Sequence, residues 1–330
     1  MSAQRLILRF QRRINMTKIA FLFPGQGSQK VGMGAELLTG AYANFYKDAD
    51  SLVAYDLSSL MLEGPEDQLT LTYNAQPALL TTGVLVAKQL ADAGIKADFT
   101  IGHSLGEYAA LVASGVMSFE DAVKIVHKRG VLMNEAVPAG EGTMAAILAL
   151  DSEQLGAVTE AVSAELGEVV QMANLNCPGQ IVISGTKHAV EVACERAKEA
   201  GARRALPLNV SGPFHSALMK PAAERLKAAL DVIELHEAQI PVIANVTAKP
   251  VTRPEEIEKL LVEQLYSPVR FEESIRELLA QGVDTFIECG PGKVLSGLVK
   301  KVDRKATTYC IYDEASLQDV LTQAKEWSHV

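Results

Sequence analysis

This chain is poor in aromatic residues, paired cysteines and long apolar runs, and each shortage closes off a class of function. Aromatics make up 5% of its 330 residues, too few to suggest a stacking platform for single-stranded nucleic acid. The four cysteines (Cys177, Cys194, Cys289 and Cys310) form no CxxC pair. Scattered single thiols in an acidic globular chain read as reduced, cytosolic cysteines. The six histidines are also scattered and no HExxH occurs, so no metal site is expected. No apolar run approaches the length of a membrane span. Positive charge is in deficit as well. A formal net charge of -9 argues against non-specific binding to nucleic acid.

What remains is an ordinary globular composition, 48% hydrophobic and 22% charged. The length suits a large domain with a smaller companion. The first fifteen residues stand apart, with Arg5, Arg9, Arg12 and Arg13 and no acid. They read either as a basic targeting segment or as a disordered or non-native leader ahead of Met16, where "MTKIAFLF" begins like a natural start.

Residues 18–23 predict a buried strand running into the tight loop "PGQGSQ". Residues 76–94 predict a helix with Pro77 in its first turn. A short strand at 98–102 and an apolar helix at 105–115 follow. Between 143 and 210 the order is strand, helix, strand, strand, helix, strand, with Ser152 as a possible cap of the first helix. This βαββαβ order is that of a ferredoxin-like unit, expected as an insert over 141–211 in a large α/β domain made of 16–140 and 212–330. A helix at 216–231, a strand at 240–246, helices ending near 268 and spanning 271–281, a strand at 284–290 and a further helix start return to that larger domain.

"GHSLG" (102–106) places Ser104 between a strand and a helix, as a nucleophile elbow requires. A helix N-cap is the plainer role for a serine there. A nucleophilic serine needs a base. His103 is adjacent but neighbours on a tight turn point apart. His127 and His188 lie in helical patterns and read as surface residues, and His236 and His329 have no motif around them. His215, on a loop after the Gly212-Pro213 break, is the best candidate. Arg129 lies on the apolar stripe of Ala122, Ile125, Val126 and Met133. A buried guanidinium there needs an anion, either an internal carboxylate or a substrate carboxylate held bidentately. "FPGQGSQKVGMG" lacks the third glycine of a dinucleotide fingerprint and the GK[ST] of a phosphate loop. It reads instead as a loop exposing backbone amides, one of which could join the amide after the serine in an oxyanion hole.

The ordered set "FPGQGSQKVGMG", "QPALL", "GHSLGEYAALVASG", "KRGVLMNEAV", "NCPGQIVISG", "FHSALMKPA", "EQLYSPVRF" and "ECGPGKVLSGL" closely resembles the stand-alone malonyl-CoA:acyl carrier protein transacylases of type II fatty-acid synthesis, from about residue 16 to 300. The resemblance implies a hydrolase-like α/β fold carrying a ferredoxin-like insert. It implies Ser104 as the acylated serine, His215 as the catalytic histidine and Arg129 as the malonyl carboxylate ligand. Gln26 and Leu105 would give the oxyanion-hole amides. Gln264 would help to position the histidine, and Asn176 and His103 would line the site. Phe214, just before His215, is as in many malonyl-selective relatives. No cofactor is implied, since coenzyme A is carried by the substrate.

The partners implied are malonyl-CoA and acyl carrier protein, with no membrane or nucleic acid, in a bacterial cytoplasm. An acidic carrier would dock on a local basic patch, either Arg203 and Arg204 or Lys300, Lys301, Arg304 and Lys305. A trans-acting acyltransferase of a polyketide pathway, an acyl-carrier hydrolase and a silent carrier-binding module are the alternatives.

Overall fold

The computed structural model describes residues 17–327; the arginine-rich leader lies outside them. Ten strands run β1 Ile19–Phe23, β2 Phe99–Gly102, β3 Gly142–Leu148, β4 Val170–Cys177, β5 Gln180–Thr186, β6 Arg204–Pro207, β7 Val242–Ile243, β8 Pro250–Val251, β9 Thr285–Cys289 and β10 Thr307–Ile311. The helices are α1 Phe45–Val53, α2 Leu57–Glu63, α3 Glu66–Thr70, α4 Thr72–Asp92, α5 Gly106–Ala113, α6 Phe119–Glu135, α7 Ser152–Leu166, α8 Lys187–Glu199, α9 Lys220–Leu230, α10 Pro254–Gln264, α11 Phe271–Ala280, α12 Val294–Val302 and α13 Glu314–Ala324.

Two sheets organise these elements. The larger has the order β10-β9-β1-β2-β7-β8 and is parallel except for the β7–β8 pair. Every residue of β1 and β9 is buried, as expected for parallel strands covered by helices on both faces. Phe23 and Gly102 are in register at the carboxyl ends of β1 and β2. The loops that leave these ends therefore emerge side by side, the place where open α/β sheets bind ligands. The smaller sheet is antiparallel with the order β4-β5-β3-β6, the ferredoxin-like arrangement of βαββαβ. Its edge strand β4 is stitched to the larger unit, where Leu175 N–H donates to Val269 O at 2.9 Å and Val269 N–H to Ala173 O at 2.8 Å.

Local details differ from the sequence reading. The cap of α7 is Asp151, whose carboxylate accepts from Gln154 N–H, so Ser152 is the first helical residue. The strand expected over 240–246 is reduced to Val242–Ile243. α4 begins four residues earlier than expected, which puts Pro77 inside it. A proline there removes the bond to the carbonyl of residue 73. That carbonyl is taken instead by His127 Nδ1 at 2.9 Å. His127 is thus half-buried and bonded, a correction to its reading as a surface residue. The helices meet closely there, since a Cβ on Gly130 would lie 2.5 Å from Tyr73 Cα.

Candidate active site

The turn that carries Ser104 is built by glycine on both sides. A Cβ on Gly102 would sit 1.8 Å from the Gly106 carbonyl carbon, and one on Gly106 would sit 2.0 Å from Phe23 O. Only without side chains can β2, the turn and α5 pack this tightly. The turn leaves Ser104 at φ +53°, a conformation that costs a non-glycine residue about 1–3 kcal/mol unless its surroundings hold it. They do: Asn245 Oδ1 accepts from Ser104 N–H at 2.7 Å, and Gln264 Nε2 donates to Ser104 O at 3.0 Å.

Ser104 Oγ lies 2.7 Å from His215 Nε2. His215 Nδ1 lies 2.8 Å from the backbone carbonyl of Gln264. A carbonyl can only accept, so the proton is on Nδ1 and Nε2 is free to take one from the serine. His215 is buried. Burial, and then the charge of Arg129, push its pKa down to about 3, so the ring is neutral at physiological pH. His103, next to Ser104, turns the other way and bonds Asn176 Oδ1 through Nε2 at 2.8 Å. Burial lowers its pKa too.

Arg129 projects from α6 into the same spot and is 1% exposed. Its Nη1 donates to Gln76 Oε1 at 2.7 Å, and its Nη2 to Gln264 Oε1 at 2.8 Å and Ser104 Oγ at 3.0 Å. The guanidinium also packs over the Tyr108 ring, 5.5 Å from its centroid. Among the described residues no carboxylate forms an ion pair with it, so its hydrogen-bond partners are two neutral amides and the Ser104 hydroxyl. Burial alone disfavours the charge. A cation buried this way is a standing demand for an anion.

A cavity of about 380 Å³ opens over these groups, lined among others by Gln26, His103, Leu105, Asn176, Phe214 and Val294. Gln26 lies on the loop after β1, with its side-chain oxygen taking the Thr72 hydroxyl at 2.7 Å. Leu105 begins α5. Among the described residues neither backbone N–H has a protein acceptor. Arg203 and Arg204 do not join this assembly. They are exposed at the far end of the edge strand β6, about four residues, or roughly 13 Å of extended chain, before Leu208 on the cavity wall. Lys301 comes nearer, bonding the cavity residue Gln180 at 3.0 Å.

Gln76, Asn245 and Glu107 complete the network and were not singled out from the sequence. Their one signal was a polar residue set in an apolar run, where burial obliges it to find partners.

The acyl transferase domain family matches residues 20–315. A malonyl CoA-acyl carrier protein transacylase of Bacillus subtilis is 60% identical over 94% of this chain and 98% of its own length. The chain belongs to the malonyl CoA-acyl carrier protein transacylase family. A crystal structure of an acyl carrier protein S-malonyltransferase from Vibrio cholerae superposes with a TM-score of 0.90 at 46% identity, over 92% of this chain and all of that one. A malonyl-transacylase solved in complex with a type II PKS acyl-carrier protein gives 0.89 at 42% identity, over 93% of this chain and all of that one. The mixed α/β architecture with its separate antiparallel sheet is thus the family fold. Among the described residues no helix is long and apolar enough to cross a membrane.

Proposed function

We propose that this enzyme moves a malonyl group from malonyl-CoA to the phosphopantetheine thiol of an acyl carrier protein, through a malonyl ester on Ser104. The observation that carries this reading is the buried guanidinium of Arg129, which forms no ion pair with a carboxylate among the described residues and lies 3.0 Å from the Ser104 hydroxyl. An acyl group ending in a carboxylate supplies the missing anion and, by docking there, brings its thioester to Ser104.

His215 Nε2 takes the Ser104 proton as Oγ attacks the thioester carbonyl. The N–H groups of Gln26 and Leu105 hold the oxyanion, aided by the positive end of α5. The coenzyme A thiolate leaves with the proton from His215. The carrier thiol then attacks the malonyl ester by the same route, and His215 returns the proton to Ser104. Gln264 serves twice, orienting His215 through its backbone carbonyl and Arg129 through its side chain. His103 and Asn176 brace each other in the wall. Every step uses groups of the chain and the thioester itself, so coenzyme A enters as substrate. We place the reaction in the cytoplasm, in keeping with four unpaired cysteines. The insert occupies 141–211, and Gly142 abuts Pro213 where the chain enters and leaves it.

Initial rates test the reading. With malonyl-CoA and carrier varied together, parallel double-reciprocal lines are expected for a ping-pong enzyme. Intersecting lines, or malonate released faster than carrier is loaded, would replace it with direct transfer or with hydrolysis. A polyketide setting is the second reading, favoured by the relative solved with a type II PKS carrier. It changes the carrier and leaves the chemistry alone.

A further inference from the structure

Glu107 takes no part in the steps above, yet the groups that do are tied to it. It stands in the first turn of α5, three residues after the nucleophile, and is 3% exposed. Its Oε2 accepts from Gln264 Nε2 at 2.7 Å and from Asn245 N–H at 3.3 Å. These two residues hold the backbone of Ser104 from opposite sides, Asn245 at its N–H and Gln264 at its carbonyl. The strained turn is therefore gripped by two amide side chains whose residues are anchored on one oxygen, Gln264 through its side-chain Nε2 and Asn245 through its backbone N–H.

The same oxygen helps to decide which way round the Gln264 amide lies. The two ends of an amide are nearly identical in shape, and only their partners tell them apart. Glu107 Oε2 and Ser104 O are both acceptors and draw the NH2 end. That leaves Oε1 for Arg129 Nη2, at 2.8 Å. The reversed amide would set N–H against guanidinium and oxygen against oxygen.

We propose that Glu107 is a positioning residue whose Oε2 holds Gln264 and Asn245, and through them fixes Ser104 and Arg129 together. This rests on the malonyl-transfer reading for its consequence at Arg129. The role needs an acceptor at that point and no charge. Burial pushes the Glu107 carboxyl up to about 7, against the pull of Gln264, Asn245 and Arg129. When a proton is bound it can sit on Oε1, and Oε2 still accepts.

The test compares wild type with Glu107→Gln and Glu107→Asp. Rapid-quench intact-mass analysis reads acylation of Ser104 by saturating malonyl-CoA and acetyl-CoA. In parallel, a neutral reagent, phenylmethylsulfonyl fluoride, reports on Ser104 without any carboxylate. Gln keeps an oxygen at the same reach and is expected to stay near the wild-type rate with all three reagents. Asp keeps the charge but withdraws the oxygen by one methylene. It is expected to lose on the order of 10²-fold in acylation through misplacement of the nucleophile. Its malonyl-to-acetyl ratio should fall about tenfold further, from the loosened bond to Arg129.

A Gln variant as impaired as Asp, or an Asp variant equal to wild type, would overturn the proposal. So would equal loss toward malonyl and acetyl groups, which marks a merely structural residue. Should Asp fail to fold, the Gln result decides alone. A wild-type enzyme that reacts with the sulfonyl fluoride but not with malonyl-CoA would sink the malonyl reading instead. The order of the variants toward the sulfonyl fluoride would still judge Glu107.

Discussion

His215 Nδ1 is held at 2.8 Å by the backbone carbonyl of Gln264, and among the described residues no carboxylate bonds the ring. A carbonyl fixes the tautomer and the orientation, but it carries no full charge to stabilise an imidazolium. With the ring buried and a guanidinium nearby, the free enzyme holds a weak base, with its pKa pushed down to about 3.

Substrate should relieve part of this. Arg129 is the second cause of the depression, after burial, and a malonyl carboxylate bound there, as proposed, would neutralise it. A group that must be unprotonated loses activity as pH falls through its pKa. The acid limb of kcat, which reports the complex, is thus expected at higher pH than the acid limb of kcat/KM, which reports the free enzyme. Acetyl-CoA brings no carboxylate, and its two limbs should coincide. Coincident limbs for malonyl-CoA would show that Arg129 does not govern His215.

Replacing Arg129 with alanine should separate the two acyl groups. Malonyl transfer is expected to fall by about 10² or more, the usual cost of removing one partner of a buried charge pair. Acetyl transfer should be kept or improved. Equal loss of both would make Arg129 a structural residue, and steady-state rates on the two thioesters decide the matter.

Without its imidazole the enzyme should still bind malonyl-CoA but acylate slowly. His215→Ala is expected to reduce single-turnover acylation by on the order of 10² or more. An unchanged burst would remove His215 from the mechanism.

Gly106→Ala tests the elbow itself. Its Cβ would meet Phe23 O at 2.0 Å, a backbone atom that cannot swing aside. Overpacking of this kind costs about 1–3 kcal/mol or more, so thermal unfolding should show a melting temperature lower by several degrees. An unshifted melt would mean that the strand and turn can part without penalty.

Carrier docking can be probed apart from the chemistry. Arg203→Glu combined with Arg204→Glu should raise KM for an acidic carrier and leave malonyl-CoA acylation untouched. If only Lys301→Glu raises it, the face beside Gln180 is the docking surface.

The residues that were legible in the sequence are those whose signal is local. Ser104 announces itself through flanking glycines and Arg129 through its place on an apolar stripe. His215 stood out only as the remaining histidine on a loop. Gln76, Glu107 and Asn245 act through partners 53, 157 and 141 residues away, and nothing local marks those pairings. Pro77 shows the same limit. Its position looked like a helix start because the missing bond is made good by His127, 54 residues distant from Tyr73. The short helices between 45 and 70 went unread, since their pattern is too brief for periodicity to register. The two-sheet architecture was legible because β1 is a continuous apolar run and the insert repeats strand and helix in a recognisable order.

The most direct measurement is intact-protein mass spectrometry after mixing with malonyl-CoA and no acceptor, beside acetyl-CoA and methylmalonyl-CoA. A malonyl adduct that maps to Ser104, is absent in Ser104→Ala and is discharged by a carrier thiol is the predicted result. Free malonate with no adduct, or an adduct at another residue, would contradict the account.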